Sequence, residues 1–300
     1  MDLSLKSLLP SVDRRWERMR AVCALLECPG KGLVRYIPQT RRGIRVGKLW
    51  YCSADCFAMA ARTPLAVLSE RRVTEMPRSP RMSLGLVMLS KGQLTAEQLR
   101  RAVSQSEISG EDIETTLLRL GLANEKQLTA SRAAQWGYPA LGQDQVGHLV
   151  EADIPRALLH ACSAVPLHYT ATTKRVLIGF VTRIEHGFLE SVEQVTGCRA
   201  EPCFITPTDF DEQMERIIAP QDYEEVLVEQ PGTPERMARA VGRHAVEVGA
   251  TEAVFTQCKG YVWVRVSGKR GTIDIAFRIS NVASETENIG IPEESTAKVG

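Results

Sequence analysis

The sequence predicts a multidomain α/β (α+β) chain. Three observations carry that prediction: a basic front with four clustered cysteines, a helix, glycine, helix phrase written twice, and a later stretch mixing period-two and helical apolar patterns. The predicted order is a zinc-finger-like module, a tandem helical-hairpin motif, a small ββαβα unit, and a helix followed by a β-hairpin.

The front comes first in the chain. Residues 1–80 hold 15 Lys and Arg against 7 Asp and Glu, which leaves 22 against 29 for the remainder and hides the asymmetry inside a net charge of +1. Cys23-x4-Cys28 and Cys52-x3-Cys56 bracket a stretch rich in glycine, arginine and β-formers, the layout of a knuckle and hairpin. In YCSADCF the second pair runs into a helix start, so Cys56 falls on a first turn. Four thiolates suit zinc, and a segment this small cannot order itself by apolar burial alone, so metal binding would supply folding energy. Cys23, Cys28, Cys52 and Cys56 are the candidate ligands of one structural zinc, with unligated thiols as the alternative. On this reading the module spans 1–62, and a chelator unfolds residues before Thr63 only. Cys162, Cys198, Cys203 and Cys258 stand in apolar surroundings and read as small buried hydrophobes. Pro64, Pro77 and Pro80 around Glu70-Arg71-Arg72 mark 63–80 as a linker.

LVMLSKGQLTAEQL at 86–99 is answered by TTLLRLGLANEKQL at 115–128, twenty-nine residues on. In the first copy Leu84, Val87 and Met88 share a helical face, Gly92 ends the helix, Thr95 and Gln98 have capping-box spacing, and Leu99, Ala102 and Val103 carry the apolar face onward. In the second, Ile113, Leu117 and Leu120 make the stripe, Gly121 the stop, and Asn124 and Gln127 the box. Neither hairpin can bury its face alone, so the copies are expected to pack on each other as one module.

Downstream, Ala164-Val165-Pro166-Leu167 begins a strand, Arg175 to Val181 is a second, and Thr170 to Lys174 turns between them. Phe188, Leu189, Val192 and Val195 mark a helix stopped by Gly197, Pro202 to Ile205 returns as a strand, and Thr208 is placed as the cap of a last helix. Further on, Met237, Ala240, Val241, Ala245 and Val248 form an amphipathic helix ending at Gly249. Val262, Val264 and Val266 alternate with polar or aromatic residues, and Ile273, Ile275, Phe277 and Ile279 line the return strand of a hairpin. The assigned boundaries are 81–220 for the central domain (tandem motif 81–140, α/β unit 141–220), 233–280 for a partial α/β domain, and 281–300 for a disordered acidic tail.

The pattern LG-x2-M-x3-G-x6-L, with a second copy closing in Ala134-Gln135-Trp136-Gly137-Tyr138-Pro139 and an α/β unit behind it, resembles the N-terminal domain of type II secretion and type IV pilus assembly ATPases. The resemblance covers about 81–218. It implies docking on a component of a secretion or pilus machine, or on its ATPase. In some members it also implies binding of cyclic di-GMP through an Arg-Leu-Gly start to each copy. Carried over residue by residue, that ligand would use Arg81, Leu84, Gly85, Gly92, Gly121 and Gln135. This chain departs from the pattern: Ser83 stands where the first arginine belongs, Asp112 where the second does, and Glu114 replaces the second glycine. Two acids there would repel an anionic ligand.

The ATPase motor is not predicted. No G-x4-GK[ST] loop occurs, since Gly43-Ile44-Arg45-Val46-Gly47-Lys48 is one residue short and lacks the Ser or Thr. His148, His160, His168, His186 and His244 have neither metal spacing nor a nucleophile partner. The reading is therefore a non-enzymatic adaptor or regulator, cytoplasmic and recruited to the inner face of the membrane by a partner, without inserting in it. Two alternatives stand beside it. One is a cyclic di-GMP receptor using the degenerate motif. The other is a nucleic-acid-binding regulator using Arg35, Arg41, Arg42, Arg45 and Lys48 of the front, with nucleic acid the less favoured partner.

Overall fold

The structure is a computed structural model, and it describes residues 23–30, 43–71, 82–142, 150–151 and 153–279. Arg35, Arg41, Arg42, Arg81, the segment 72–80 and the tail 281–300 lie outside these residues.

The front folds as a hairpin and a helix. β1 (Ile44–Val46) and β2 (Leu49–Tyr51) pair antiparallel with Arg45 opposite Trp50. Gly47 takes the left-handed conformation that the two-residue turn requires (φ 59°). α1 (Ala54–Glu70) starts at Ser53, whose side chain accepts from the Cys56 N–H at 3.2 Å. The linker expected from Thr63 begins later, because α1 runs through Pro64 to Glu70. Phe57, Ala58, Ala61, Leu65 and Leu68 form one buried stripe on both sides of the proline. Burying Leu65 and Leu68 outweighs the hydrogen bond that Pro64 removes.

The doubled phrase gives four helices: α2 (Leu84–Ser90), α3 (Ala96–Ser109), α4 (Ile113–Arg119) and α5 (Glu125–Trp136). Both predicted capping boxes are present, Thr95 with Gln98 and Asn124 with Gln127. Gly92 and Gly121 follow their helix ends with φ of 67° and 64°. Leu84, Met88 and Leu94 of the first copy share one cluster with Leu117 and Leu128 of the second, so the copies do close on each other. Val103 departs from expectation. It lies 40% exposed, while Ala102 alone of its helix is fully buried.

The α/β unit holds a sheet of order β4-β5-β6, with β4 (Ala164–Thr170) antiparallel to β5 (Arg175–Phe180) and β5 parallel to β6 (Arg199–Phe204). The predicted ββαβα order is observed, with α7 (His186–Thr196) and α8 (Pro207–Arg216) as its helices and α6 (Arg156–Cys162) ahead of it. α8 is capped by Thr206, not Thr208. Proline at the first helical position fixes the entry one residue before Pro207, and the Thr206 hydroxyl accepts from Asp209 N–H at 3.0 Å. Thr208 instead donates to Glu125 of α5 at 2.8 Å. The short strands β3 (Val150–Glu151) and β7 (Ile217–Ile218) pair in parallel.

The last unit is a four-stranded sheet of order β8-β11-β10-β9, built from β8 (Tyr223–Val228), β9 (Ala250–Cys258), β10 (Tyr261–Gly268) and β11 (Gly271–Arg278). α9 (Pro234–Val248) connects β8 to β9. β8 and β9 exceed the helix and hairpin expected for this region; β8 carries Glu224 and Glu225 at an exposed edge, so it lacks a strong apolar pattern.

This sheet serves two cores. Val262, Val264 and Val266 face a cluster that contains α9 residues Met237, Val241 and Ala245 and also α1 residues Phe57, Ala61 and Leu65. Trp263, between them, belongs to the cluster of the α/β unit. The front and the back of the sequence therefore share one hydrophobic core, where the sequence suggests separate modules. A Cβ on Gly242 would meet the Ala54 carbonyl oxygen at 3.0 Å and the Ala58 Cβ at 3.2 Å, so α1 and α9 touch nearly backbone to backbone.

Candidate functional site

The four front cysteines converge. The Sγ atoms of Cys23, Cys28, Cys52 and Cys56 all lie within 4.8 Å of one another. Cys28 and Cys52 are 3.5 Å apart, Cys52 and Cys56 3.4 Å, and Cys56 and Cys28 3.6 Å. A disulfide needs about 2.05 Å, and a tetrahedron with zinc to sulfur bonds of about 2.3 Å has edges of about 3.8 Å. The cluster fits a tetrahedral metal ion.

Local structure explains the convergence. The Ala24 N–H donates to the Trp50 carbonyl at 2.7 Å, tying the Cys23 segment to the hairpin. Cys52 follows β2 directly, and the Ser53 cap sets Cys56 on the first turn of α1. Electrostatics differ among the thiols. A Gly30 N–H aimed at Cys28 holds that thiol below its ordinary range, while burial pushes Cys52 and Cys56 above theirs. A divalent cation reverses that penalty, because it favours thiolate over thiol. Among the described residues this is the group of His, Cys, Asp or Glu side chains placed to hold a metal.

The nucleotide candidates come together differently. Leu84 is buried in the motif's core. A Cβ at Gly85 would sit 2.6 Å from Leu99 Cδ1, so the glycine makes room for a core leucine. Gly92 and Gly121 close their helices. Gln135 donates from its amide to the Met82 carbonyl at 2.6 Å, tying α5 to the entry of α2.

The departures from the arginine pattern are helix caps. Ser83 accepts from the Leu86 N–H at 3.4 Å. Asp112, its counterpart, accepts from Glu114 N–H and Thr115 N–H at 2.9 Å each. Its carboxyl is held below the usual range, first by the Thr115 hydroxyl and then by these amides. Glu114, in the place of Gly85, forms an ion pair with buried Arg132, which also donates to the Val181 carbonyl of the α/β unit at 2.5 Å. Burial raises the Glu114 carboxyl despite that arginine.

Sequence reading missed a buried charge network. Arg265 on β10 faces Asp274 on β11 with contacts of 2.9 and 2.6 Å, and reaches Asp153 ahead of α6 at 2.7 Å. Asp274 is fully buried, and burial pushes its carboxyl up against the opposing pull of Arg265. The signal was present: an arginine and an aspartate inside apolar strands must pair with something. The network clamps the α/β unit onto the sheet. Of the later cysteines, Cys162, Cys203 and Cys258 are buried as expected, and Cys198 is half-buried. No helix among the described residues is long and apolar enough to cross a membrane.

No family model matches the chain. A stretch of 129 residues, 42% of the chain, is 27% identical to the type IV pilus assembly ATPase PilB of Thermus thermophilus, and it spans 14% of that protein's length. Among solved structures, the chain is similar to a structure of MshE with cdg (TM-score 0.38, 18% identity, 45% of this chain and 99% of that one). It is also similar to the N-terminal domain of XpsE (TM-score 0.36, 19% identity, 47% and 96%). The sequence match carries the relation: part of this chain resembles part of a type IV pilus assembly ATPase, in line with the resemblance read from the doubled phrase.

Proposed function

We propose that the protein is a non-enzymatic adaptor or regulator of a type II secretion or type IV pilus-like machine, acting by protein docking through its doubled helical domain. One observation carries this reading: among the described residues, positions that a bound nucleotide would use are already engaged inside the motif. Gln135 holds the Met82 carbonyl, Gly85 accommodates Leu99, and Glu114 holds Arg132. The solvent-facing surface of the same motif keeps apolar side chains, Leu86, Val103, Ile108 and Leu118 among them. A packed scaffold with apolar side chains among its exposed residues suits a protein partner better than an anionic ligand.

Zinc at the four cysteines is proposed as structural. Thiolate ligation leaves no open position for chemistry and stabilises the turn from hairpin to α1. No catalytic role is assigned to any residue. The site of action is the cytoplasmic face of the membrane, reached through the partner.

The test is binding of the full chain to purified cytoplasmic subunits of such a machine, its ATPase included. Leu86→Glu combined with Leu118→Glu is expected to abolish the interaction without lowering the melting temperature. Unchanged binding by that variant, or no binding to any subunit, counts against the reading. Cyclic di-GMP is the alternative, and saturable heat on titration that disappears in Gln135→Ala would support it instead.

A further inference from the structure

α9 carries PERMARAVGRHAVEV, and its burial stripe, Met237, Ala238, Val241, Ala245 and Val248, faces α1 and the sheet. The opposite face carries Arg236, Arg239 and Arg243, and these three with Ala240 line a shallow groove. Two acids stand on the same helix, Glu247 one turn beyond Arg243, and each has a partner outside the arginine row. Glu235 pairs with Arg62 of α1, and Glu247 contacts His244 at 2.6 Å. Among the described residues none of the three arginines is held in an ion pair, although Glu235 lies close enough to Arg239 to feel its charge. Folding gains nothing from like charges at these spacings on one helix face.

Other basic groups extend the row. The Gly47 N–H donates to the Thr251 carbonyl at 2.8 Å, which sets the β1–β2 turn, with exposed Lys48, beside the end of α9. The Arg270 N–H donates to the Val248 carbonyl at 3.1 Å and its guanidinium to the Val246 carbonyl, so Lys269 and Arg270 of the β10–β11 turn lie at the same end. Two turns thus bring cations to one end of α9, and the helix continues the row.

We infer that the solvent-facing side of α9 is a binding surface for the sugar–phosphate backbone of nucleic acid. Arg236 and Arg243 are seven residues apart, about 10 Å along the helix. That distance lets the three guanidiniums reach neighbouring phosphates of one strand of a duplex. Arginine's planar donors suit phosphate oxygens. Ala240 is the apolar side chain in the groove, so the surface offers no anchor for lipid chains and no aromatic platform for unstacked bases. Recognition would therefore follow charge and be indifferent to sequence. This goes beyond protein docking through the doubled motif and uses a different part of the chain from it.

The test is fluorescence anisotropy of the full, metal-loaded chain with two short duplexes of unrelated sequence, across a salt series. Both duplexes are expected to bind equally. Arg236→Gln, Arg239→Gln and Arg243→Gln together should weaken binding roughly tenfold or more at low salt. They should also lower the salt slope by about two to three, near 0.9 for each phosphate that is no longer neutralised. The triple lysine variant should restore most of both, and Arg100→Gln with Arg101→Gln on α3 should change neither. Unchanged circular dichroism excludes loss of fold as the cause. The inference is overturned if wild type binds neither duplex at low salt, or if the glutamine variant binds as tightly as wild type. Equal competition by polyglutamate at matched charge would also overturn it, by assigning the surface to an acidic protein.

Discussion

The front cysteine module and the doubled helical motif are both short, both rich in motif residues, and opposite in what they do with them. In the front, four side chains point at one another, and two of them are buried. In the doubled motif, the described residues that a ligand would use end helices, make room for leucine or hold a carbonyl. Motif residues that fold the chain by themselves need no guest. Those that converge at metal spacing do. On the function proposed above, the first region takes a metal and the second takes no nucleotide.

The largest effect should come from removing the metal. Structural zinc contributes on the order of 10 kcal/mol in small modules. Because α1 shares its core with α9, chelation is expected to strip hydrogen-exchange protection from α1 and α9 together and leave α2 to α5 protected. Loss confined to residues before Thr63 would break the link between the two helices.

A smaller effect tests the other side. Leu117→Ala removes a fully buried side chain joining the two copies and should cost about 2–5 kcal/mol. In a denaturant melt this loss should leave zinc content at one equivalent per chain.

Asp112→Ala should cost about 1 kcal/mol, as loss of a helix cap does. The pH dependence has a definite sign. Asp112's folded carboxyl titrates below its unfolded value, so its contribution is complete above the unfolded aspartate pKa of about 4 and is lost as pH falls through the folded one. Asp112→Asn, which still caps, should flatten that acid limb while keeping most of the stability. An unchanged acid limb in Asp112→Asn would exclude the cap as its source.

Local signals in the sequence were the reliable ones. Thr95 with Gln98, Asn124 with Gln127, and the stops at Gly92, Gly121, Gly197 and Gly249 act within a turn of helix, so spacing alone reveals them. The cysteine set was legible for the same reason, since ligand spacing and the helix start after Cys52 are local. Partners distant in sequence were not legible. Nothing in Phe57 or Ala58 names α9, some 180 residues on, and nothing in Arg265 names Asp153. Pro64 misled because a proline marks a break unless burial of Leu65 and Leu68 outweighs it. The acids at 112 and 114 looked like repulsion aimed at a ligand; the fold uses them as a cap and an ion-pair partner.

Whether the doubled motif still accepts a nucleotide decides between the two regions, and calorimetric titration of the full chain with cyclic di-GMP asks that directly. No saturable heat and no change in hydrogen exchange across α2 to α5 are expected. Saturable binding that Gln135→Ala abolishes would contradict a motif whose residues are already engaged in folding.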